Sequence, residues 1–311
     1  MSILNSFFLF IKQPRYRMFY RDGDWRFKTW SIIKLWSFII LLVFLSEIFI
    51  APIVSFSGFD ANQNYLIDFF NDQSIYVVIF FTMIFAPLFE ELIFRLPLRC
   101  GHWNLGFFFS VFLFFLLLEA GNYFDFDFTI WFFEINFYLK NLALILLVVF
   151  FGFLFSKIIK NKLPLEKVEN LYLKNFKYIF YFFTLAFGIV HIMNFYNYGR
   201  YWYLILFLVF PQMLISFSLG FVRIIFGFQW SVFMHFLHNT VLTLPIIILS
   251  YVSDDFFSLI NNSREFDPEK ISQSDKSLIF FMSYYIIIVL LVFLVAIYSV
   301  LMEYFQYKKN N

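Results

Sequence analysis

Residues 86–95 read APLFEELIFR and place two adjacent carboxylates and a guanidinium inside an apolar run long enough to cross a membrane. An ionisable group at the centre of a bilayer costs roughly 2.5–3.5 kcal/mol even on the mildest insertion scale. Glu90, Glu91 and Arg95 share one predicted span. Because burying three ionisable groups in one span is costly, their presence predicts a functional site.

The composition indicates a polytopic helical membrane protein. Of the 311 residues, 62% are hydrophobic and 14% are charged. The apolar residues come in runs of about twenty, the length that a helix needs to span the hydrocarbon layer. The net charge of +2 argues against nucleic-acid binding, and the single cysteine excludes an internal disulfide. We predict an all-α polytopic transmembrane helical bundle that forms one domain over residues 1–311.

Eight spans are predicted from the apolar runs. They lie at about Trp30–Val54, Ile75–Arg99, Leu105–Leu118, Phe137–Ile159, Tyr178–Phe195, Tyr201–Leu219, Ile224–Tyr251 and Leu278–Phe305. Residues 1–29 precede them as a basic cytoplasmic arm. Its apolar Ile3–Ile11 stretch is interpreted as an interfacial helix, because it precedes the basic cluster and lacks the small-residue cleavage site of a signal peptide.

Loop charges predict the topology, because Lys and Arg concentrate on the cytoplasmic side of a membrane. Basic residues occupy the N-terminal arm, the 156–177 connection and the C-terminal tail. Acidic residues occupy the alternate connections, at Asp60, Asp68, Asp72, Asp125, Asp127, Glu134, Asp254, Asp255, Glu265, Asp267, Glu269 and Asp275. Both termini are therefore expected in the cytoplasm. The 54 phenylalanines suggest AT-rich coding in a bacterium, so the expected location is the bacterial cytoplasmic membrane.

The polar residues of three predicted spans lie at similar depth. At ~1.5 Å per helical residue, each is separated from a basic residue at the cytoplasmic end of its span by a comparable distance. These distances are ~14 Å from Glu90 to Arg99, ~21 Å from His191 to Lys177 and ~18 Å from His235 to Arg223, which is interpreted as a cytoplasmic anchor. Residues at one level can form a common site.

Within the first motif, spacing assigns different tasks to the two glutamates. Glu91 and Arg95 stand at i and i+4 on one helix face, in the favourable order for an ion pair. Glu90 points about 100° away round the helix and remains available as a general base for water. The alternative is a purely structural ion pair plus one carboxylate that bonds a neighbouring helix.

Two further motifs supply histidines. Phe187 and His191 stand one turn apart, with Gly188 between them to allow close approach of another helix. His235 and Asn239 share a face and could hold a carbonyl oxygen as it becomes an oxyanion, whereas His238 lies off that face and is predicted to support the site. Glu90, His191 and His235 could instead bind zinc, although no local metal motif such as HExxH is present. No cofactor is the preferred interpretation.

The Glu-Glu-x-x-x-Arg, Phe-x-x-x-His and His-x-x-x-Asn motifs, in this order and on separate spans, resemble those of the CPBP (CAAX protease and bacteriocin-processing, or Abi) intramembrane proteases. The resemblance implies a catalytic core at about 76–99 and 178–250. It implies that Glu90 and His191 activate water and that His235 and Asn239 polarise the scissile carbonyl. The supporting residues that it implies are Glu91, Arg95 and Phe187. It leaves open a metal-dependent or a metal-free glutamic mechanism.

One departure from that pattern concerns spacing. Relatives usually carry the second motif on the span after the first, whereas here extra spans at about 105–159 intervene. Two extra spans preserve the orientation of the chain, so the motif helices can still touch if the extra pair lies at the periphery.

The expected function is therefore that of an intramembrane endopeptidase acting on a membrane-associated or lipidated protein or peptide within the lipid bilayer. The alternative is a catalytically silent membrane protein, such as a binding or immunity protein, that uses the same polar cluster for packing or partner recognition. A proton-relaying transporter is disfavoured because the sequence shows neither repeat symmetry nor paired Gly/Pro-broken spans. The sequence gives no indication of an oligomeric state.

Overall fold

The computed structural model describes residues 2–16, 23–59, 64–123, 137–196, 198–252 and 273–310. In these ranges the chain is helical and contains no strand, apart from one isolated antiparallel bridge between Asn64 and Phe195. The predicted outer connections at 124–136 and 253–272, with most of their acidic residues, lie outside the described residues.

The α-helices run in chain order as follows: α1 Ile3–Lys12, α2 Trp25–Phe56, α3 Tyr65–Asp72, α4 Ile75–Ile79, α5 Ala86–Phe94, α6 His102–Tyr123, α7 Phe137–Lys162, α8 Leu165–Val190, α9 Ile205–Leu208, α10 Phe210–Ile225, α11 Phe228–Val252 and α12 Gln273–Asn310. A π-helical segment, Phe80–Phe85, joins α4 to α5. Short 3-10 turns follow at Leu96–Leu98, His191–Asn194 and Tyr198–Leu204.

Among the described residues, four helical segments are long and apolar enough to cross a membrane: Trp25–Phe56, Ile75–Leu98, Leu165–Asn194 and Ser283–Met302. A fifth is obtained if Tyr198–Leu208 and Phe210–Ile225, which meet at a 48° bend, count as one span. The other predicted spans coincide with the helices α6, α7 and α11, whose described residues do not meet this criterion. The count of eight and the orientation of the termini stay predictions.

The basic 156–177 connection differs from the sequence-based expectation of a loop. Helix α7 continues to Lys162 and α8 begins at Leu165, so only two residues separate them. Residues 165–177 mix charged and apolar side chains at helical spacing, and the apolar Phe176 is buried. This amphipathic pattern extends α8 by about three and a half turns beyond the predicted start of the span.

The largest buried apolar cluster lies where α1 meets α2, α8 and α10. It contains Phe7 and Phe10 of α1 packed against Phe180 of α8 and Phe221 of α10. The Tyr181 hydroxyl also donates to the Ile11 carbonyl at 2.5 Å. The segment predicted to be an interfacial helix is therefore packed into the bundle, which fixes α8 and α10 relative to each other.

Helices α8 and α10 approach closely because two glycines lie at their contact. A Cβ atom at Gly188 would come within 2.5 Å of Met213, and one at Gly220 within 2.7 Å of Phe180. This agrees with the prediction that Gly188 admits a neighbouring helix. The close approach brings the end of α8, where His191 lies, against the helices that follow it.

The extra helices α6 and α7 form a hairpin on the outside of the motif helices. Phe108 of α6 packs edge-on against Phe183 of α8, at a ring separation of 5.7 Å. Helix α5 nevertheless touches α8 directly, since the rings of Phe94 and Phe187 lie 5.4 Å apart. The inserted hairpin therefore does not separate the first two motifs.

Candidate active site

The buried part of the site is centred on Glu91 and Arg95, whose side chains are 0% and 1% exposed. The Arg95 Nε lies 3.6 Å from Glu91 Oε1, so the ion pair predicted from the i, i+4 spacing is present. Arg95 also donates to Ser216 Oγ at 3.1 Å, and its guanidinium lies 4.3 Å from the centre of the Phe187 ring. A second serine, Ser231, donates to Glu91 Oε2. The pair is thus held by hydrogen bonds and an aromatic face.

His235 connects this buried pair to Glu90. Its Nδ1 lies 3.1 Å from Glu91 Oε1, and its Nε2 lies 3.5 Å from Glu90 Oε2. The ring is 3% exposed. An ionised carboxylate only accepts hydrogen bonds, so pairing with Glu91 places a proton on Nδ1 and directs Nε2 towards Glu90.

Glu90 and His191 are the partly exposed residues of the site, although the Glu90 Oε2 atom is itself buried and makes no hydrogen bond within the described part of the chain. Their side chains are 25% and 22% exposed, and His191 Nε2 lies 3.9 Å from Glu90 Oε2. His191 Nδ1 lies 2.8 Å from the Phe187 carbonyl oxygen, which can only accept. Nδ1 must therefore carry the proton, and in the neutral ring Nε2 presents a lone pair towards Glu90.

Phe187 holds the two histidines and the arginine together. Its ring, 2% exposed, lies 4.6 Å from the His191 ring and 5.8 Å from the His235 ring. Arg95 lies over the same ring. Phe187 therefore contacts three members of the predicted site, and its supporting role stays a prediction.

Asn239 and His238 are placed differently from the other predicted residues. Asn239 Nδ2 donates to the Thr82 carbonyl at 2.8 Å, a contact with the backbone of the π-helical segment. His238 Nδ1 is buried and makes no hydrogen bond within the described part of the chain. The structure therefore brings together Glu90, His191 and His235, while Asn239 lies one turn further along α11 with its amide engaged elsewhere.

Three partners of the site were missed from sequence. Ser231 precedes His235 by four residues, so the series Ser231, His235 and Asn239 on one face of α11 could have identified it. Ser216 has no comparable signal, because it contacts Arg95 across 121 residues of sequence. Arg223 is buried, at 4% exposure, and its Nε donates to the Arg95 carbonyl at 3.0 Å. It therefore caps the end of α5, and its interpretation as a cytoplasmic anchor does not describe this contact.

The zinc alternative was tested against the geometry of the three predicted ligands. Ligand atoms of tetrahedral zinc lie about 3.3 Å apart, whereas Glu90 Oε2 lies 3.5 Å from His235 Nε2 and 3.9 Å from His191 Nε2. Among the described residues, no group of three or more His, Cys, Asp or Glu side chains is arranged to hold a metal ion. Both separations are longer than the spacing of zinc ligands.

No family model matches the chain, and neither a curated protein nor a solved structure does.

Proposed function

We propose that this protein is an intramembrane endopeptidase of the CPBP type, which hydrolyses a peptide bond in a membrane-associated or lipidated substrate. In this proposal α6, α7 and α11 complete eight spans and both termini lie in the cytoplasm of a bacterium. The observation that carries the proposal is the pairing of Glu90 with His191. These are the partly exposed residues of an otherwise buried ionic cluster.

The proposed nucleophile is a water molecule held between Glu90 and His191. Two acceptors that share one water lie about 4–4.5 Å apart, close to the 3.9 Å between Glu90 Oε2 and His191 Nε2. A water that donates to both directs a lone pair away from them, towards a substrate carbonyl. Glu90 then removes a proton as the oxygen attacks the carbonyl carbon.

His235 is proposed to stabilise the oxyanion that forms. Glu91 fixes the ring through Nδ1, as an acidic partner orients a catalytic histidine in other hydrolases. With His235 protonated, the two positive charges of Arg95 and the imidazolium would equal the two negative charges of the carboxylates. The Nε2–H of the protonated ring would then donate to the oxyanion. Glu90 returns its proton to the leaving amine as the C–N bond breaks, which completes the hydrolysis.

The test is cleavage by purified protein in liposomes that contain a library of membrane-anchored peptides, with new N-termini read by mass spectrometry. We expect cleavage by the wild type and its loss in Glu90→Ala, by at least ~100-fold, with the unfolding transition unchanged. Glu47→Ala is the matched control, since it removes a carboxylate from a different span, α2. We expect this variant to cleave normally.

Two outcomes would contradict the proposal. Retained cleavage in Glu90→Ala excludes the mechanism, and the absence of cleavage by the wild type favours the silent binding or immunity protein. The same assay tests the metal: we expect a chelator to leave the rate unchanged, and loss of activity that is restored by zinc would replace the metal-free mechanism.

A further inference from the structure

The backbone about two turns before Glu90 contains a hydrogen-bond acceptor that the helix cannot satisfy. In the π-helical segment, the Ala86 N–H bonds the Phe81 carbonyl, five residues earlier. Continuing this pattern, residue 87 would donate to the Thr82 carbonyl. Residue 87 is proline and has no N–H. An unsatisfied carbonyl costs several kcal/mol in the apolar interior of a membrane protein.

Asn239 supplies the missing donor from another helix. Its Nδ2 lies 2.8 Å from the Thr82 carbonyl oxygen. Because that oxygen can only accept, the contact fixes which end of the Asn239 amide faces α4 and α5. The Thr82 hydroxyl cannot perform this task, since it donates to the Val78 carbonyl at 2.7 Å within its own helix.

The bond links the two halves of the proposed site. Thr82 and Glu90 lie on the same continuous helical segment, and Asn239 follows His235 by one turn of α11. The hydrogen bond therefore restrains rotation and sliding of the Glu90 segment against the helix that carries His235. A displacement of about 1 Å in such a constellation can lower a catalytic rate by ~100-fold.

We infer that Asn239 is a positioning residue that replaces the N–H missing at Pro87 and thereby sets the distance between Glu90 and His235. The inference differs from a direct oxyanion role, in which Asn239 would touch the substrate. Its consequence for cleavage rests on the proposed function, but its consequence for stability does not.

The experiment compares Asn239→Ala, Pro87→Ala and the double variant with the wild type, both in cleavage and in thermal unfolding in detergent. Alone, Asn239→Ala leaves the Thr82 carbonyl unsatisfied, so we expect kcat to fall by about 10–100-fold with KM little changed, and the transition to move several degrees lower. Alanine at position 87 restores an N–H to the helix. The double variant should therefore cleave within about threefold of Pro87→Ala and unfold close to it.

Each result bears on a different claim. A double variant as inactive as Asn239→Ala, but with restored stability, assigns Asn239 to the oxyanion and overturns the positioning role. If the stability losses of Asn239→Ala and Pro87→Ala add up in the double variant, Asn239 does not replace the N–H that is missing at Pro87. If the wild type cleaves nothing, the stability comparison still tests the inference while the proposed function fails. If Asn239→Ala does not fold, folding of the double variant is itself the expected rescue.

Discussion

Two adjacent glutamates occupy opposite environments in this molecule. Glu91 is fully buried and contacts Arg95, His235 and Ser231. Glu90 is one-quarter exposed, and its contacts are longer, at 3.5 Å to His235 and 3.9 Å to His191. The residues differ only by the rotation of about 100° that one helical position brings. Identical side chains thus occupy a fully buried, hydrogen-bonded position and a partly exposed one.

The neighbouring helices explain this division. Glu91 faces α11, which provides the donors Ser231 and His235, and Ser231 also donates to the Leu219 carbonyl of α10. Glu90 faces the end of α8, where the helix gives way to a 3-10 turn at His191. The buried group includes Glu91, Arg95, Ser216, Ser231 and His235, and the open group includes Glu90 and His191. Substitutions in the two groups should therefore affect different properties.

The largest stability effect is expected for Glu91→Ala. This variant leaves Arg95 as a buried charge without its partner, which should lower the free energy of unfolding by about 3–5 kcal/mol. The measurement is reversible unfolding by denaturant in mixed micelles. Glu90→Ala, one residue away, is the control and should cost less than about 1 kcal/mol. Equal losses in the two variants would show that the glutamates are not divided as described.

A smaller loss is expected for Ser231→Ala, which removes a hydrogen bond to the buried Glu91 carboxylate. Bonds to charged groups contribute about 1.5–3 kcal/mol, so the free energy of unfolding should fall within that range. Ser218→Ala is matched to it: the serine is equally buried, but its hydroxyl donates to the Ile215 carbonyl of its own helix, at 2.7 Å. We expect less than half the effect there. If Ser218→Ala lowers the free energy of unfolding more than Ser231→Ala does, Ser231 does not belong to the buried group.

The smallest effect on stability is expected for His191→Ala in the open group. Its ring is partly exposed, and the hydrogen bond that it makes in the described part of the chain is to the Phe187 carbonyl one helical turn away. The free energy of unfolding should therefore fall by about 1 kcal/mol or less. Cleavage should nevertheless fall by at least ~10-fold, because the second acceptor for the attacking water is lost. A variant that is unstable but fully active would place His191 in the buried group instead.

Sequence reasoning succeeded where helical geometry alone decides a contact. The Glu91–Arg95 pair follows from i, i+4 spacing, and the different orientation of Glu90 follows from the pitch of the helix. Depth along each span also suggested that Glu90, His191 and His235 could meet. Their common level was predicted from residue counts, whereas their separations depend on how α5, α8 and α11 pack.

Other features could not be predicted because their causes are tertiary. The Asn239 amide bonds a backbone carbonyl, and the side-chain pattern gives no sign of a carbonyl left free by a π-helical turn before Pro87. The 156–177 segment was predicted as a loop because basic residues mark membrane boundaries. Its apolar positions instead continue α8, which packing against α1 stabilises.

The sequence distance between the members of the buried group has a consequence for biosynthesis. Ser231 and His235 follow Glu91 by 140 and 144 residues, so α5 is synthesised well before its partners in α11. At about 5–20 residues per second, this interval lasts roughly 7–28 s. During it, Arg95 is the one member of the buried group already present beside Glu91 on its own helix. The ion pair between Glu91 and Arg95 therefore lowers the energetic cost of burying these charges in the membrane until α11 has been synthesised.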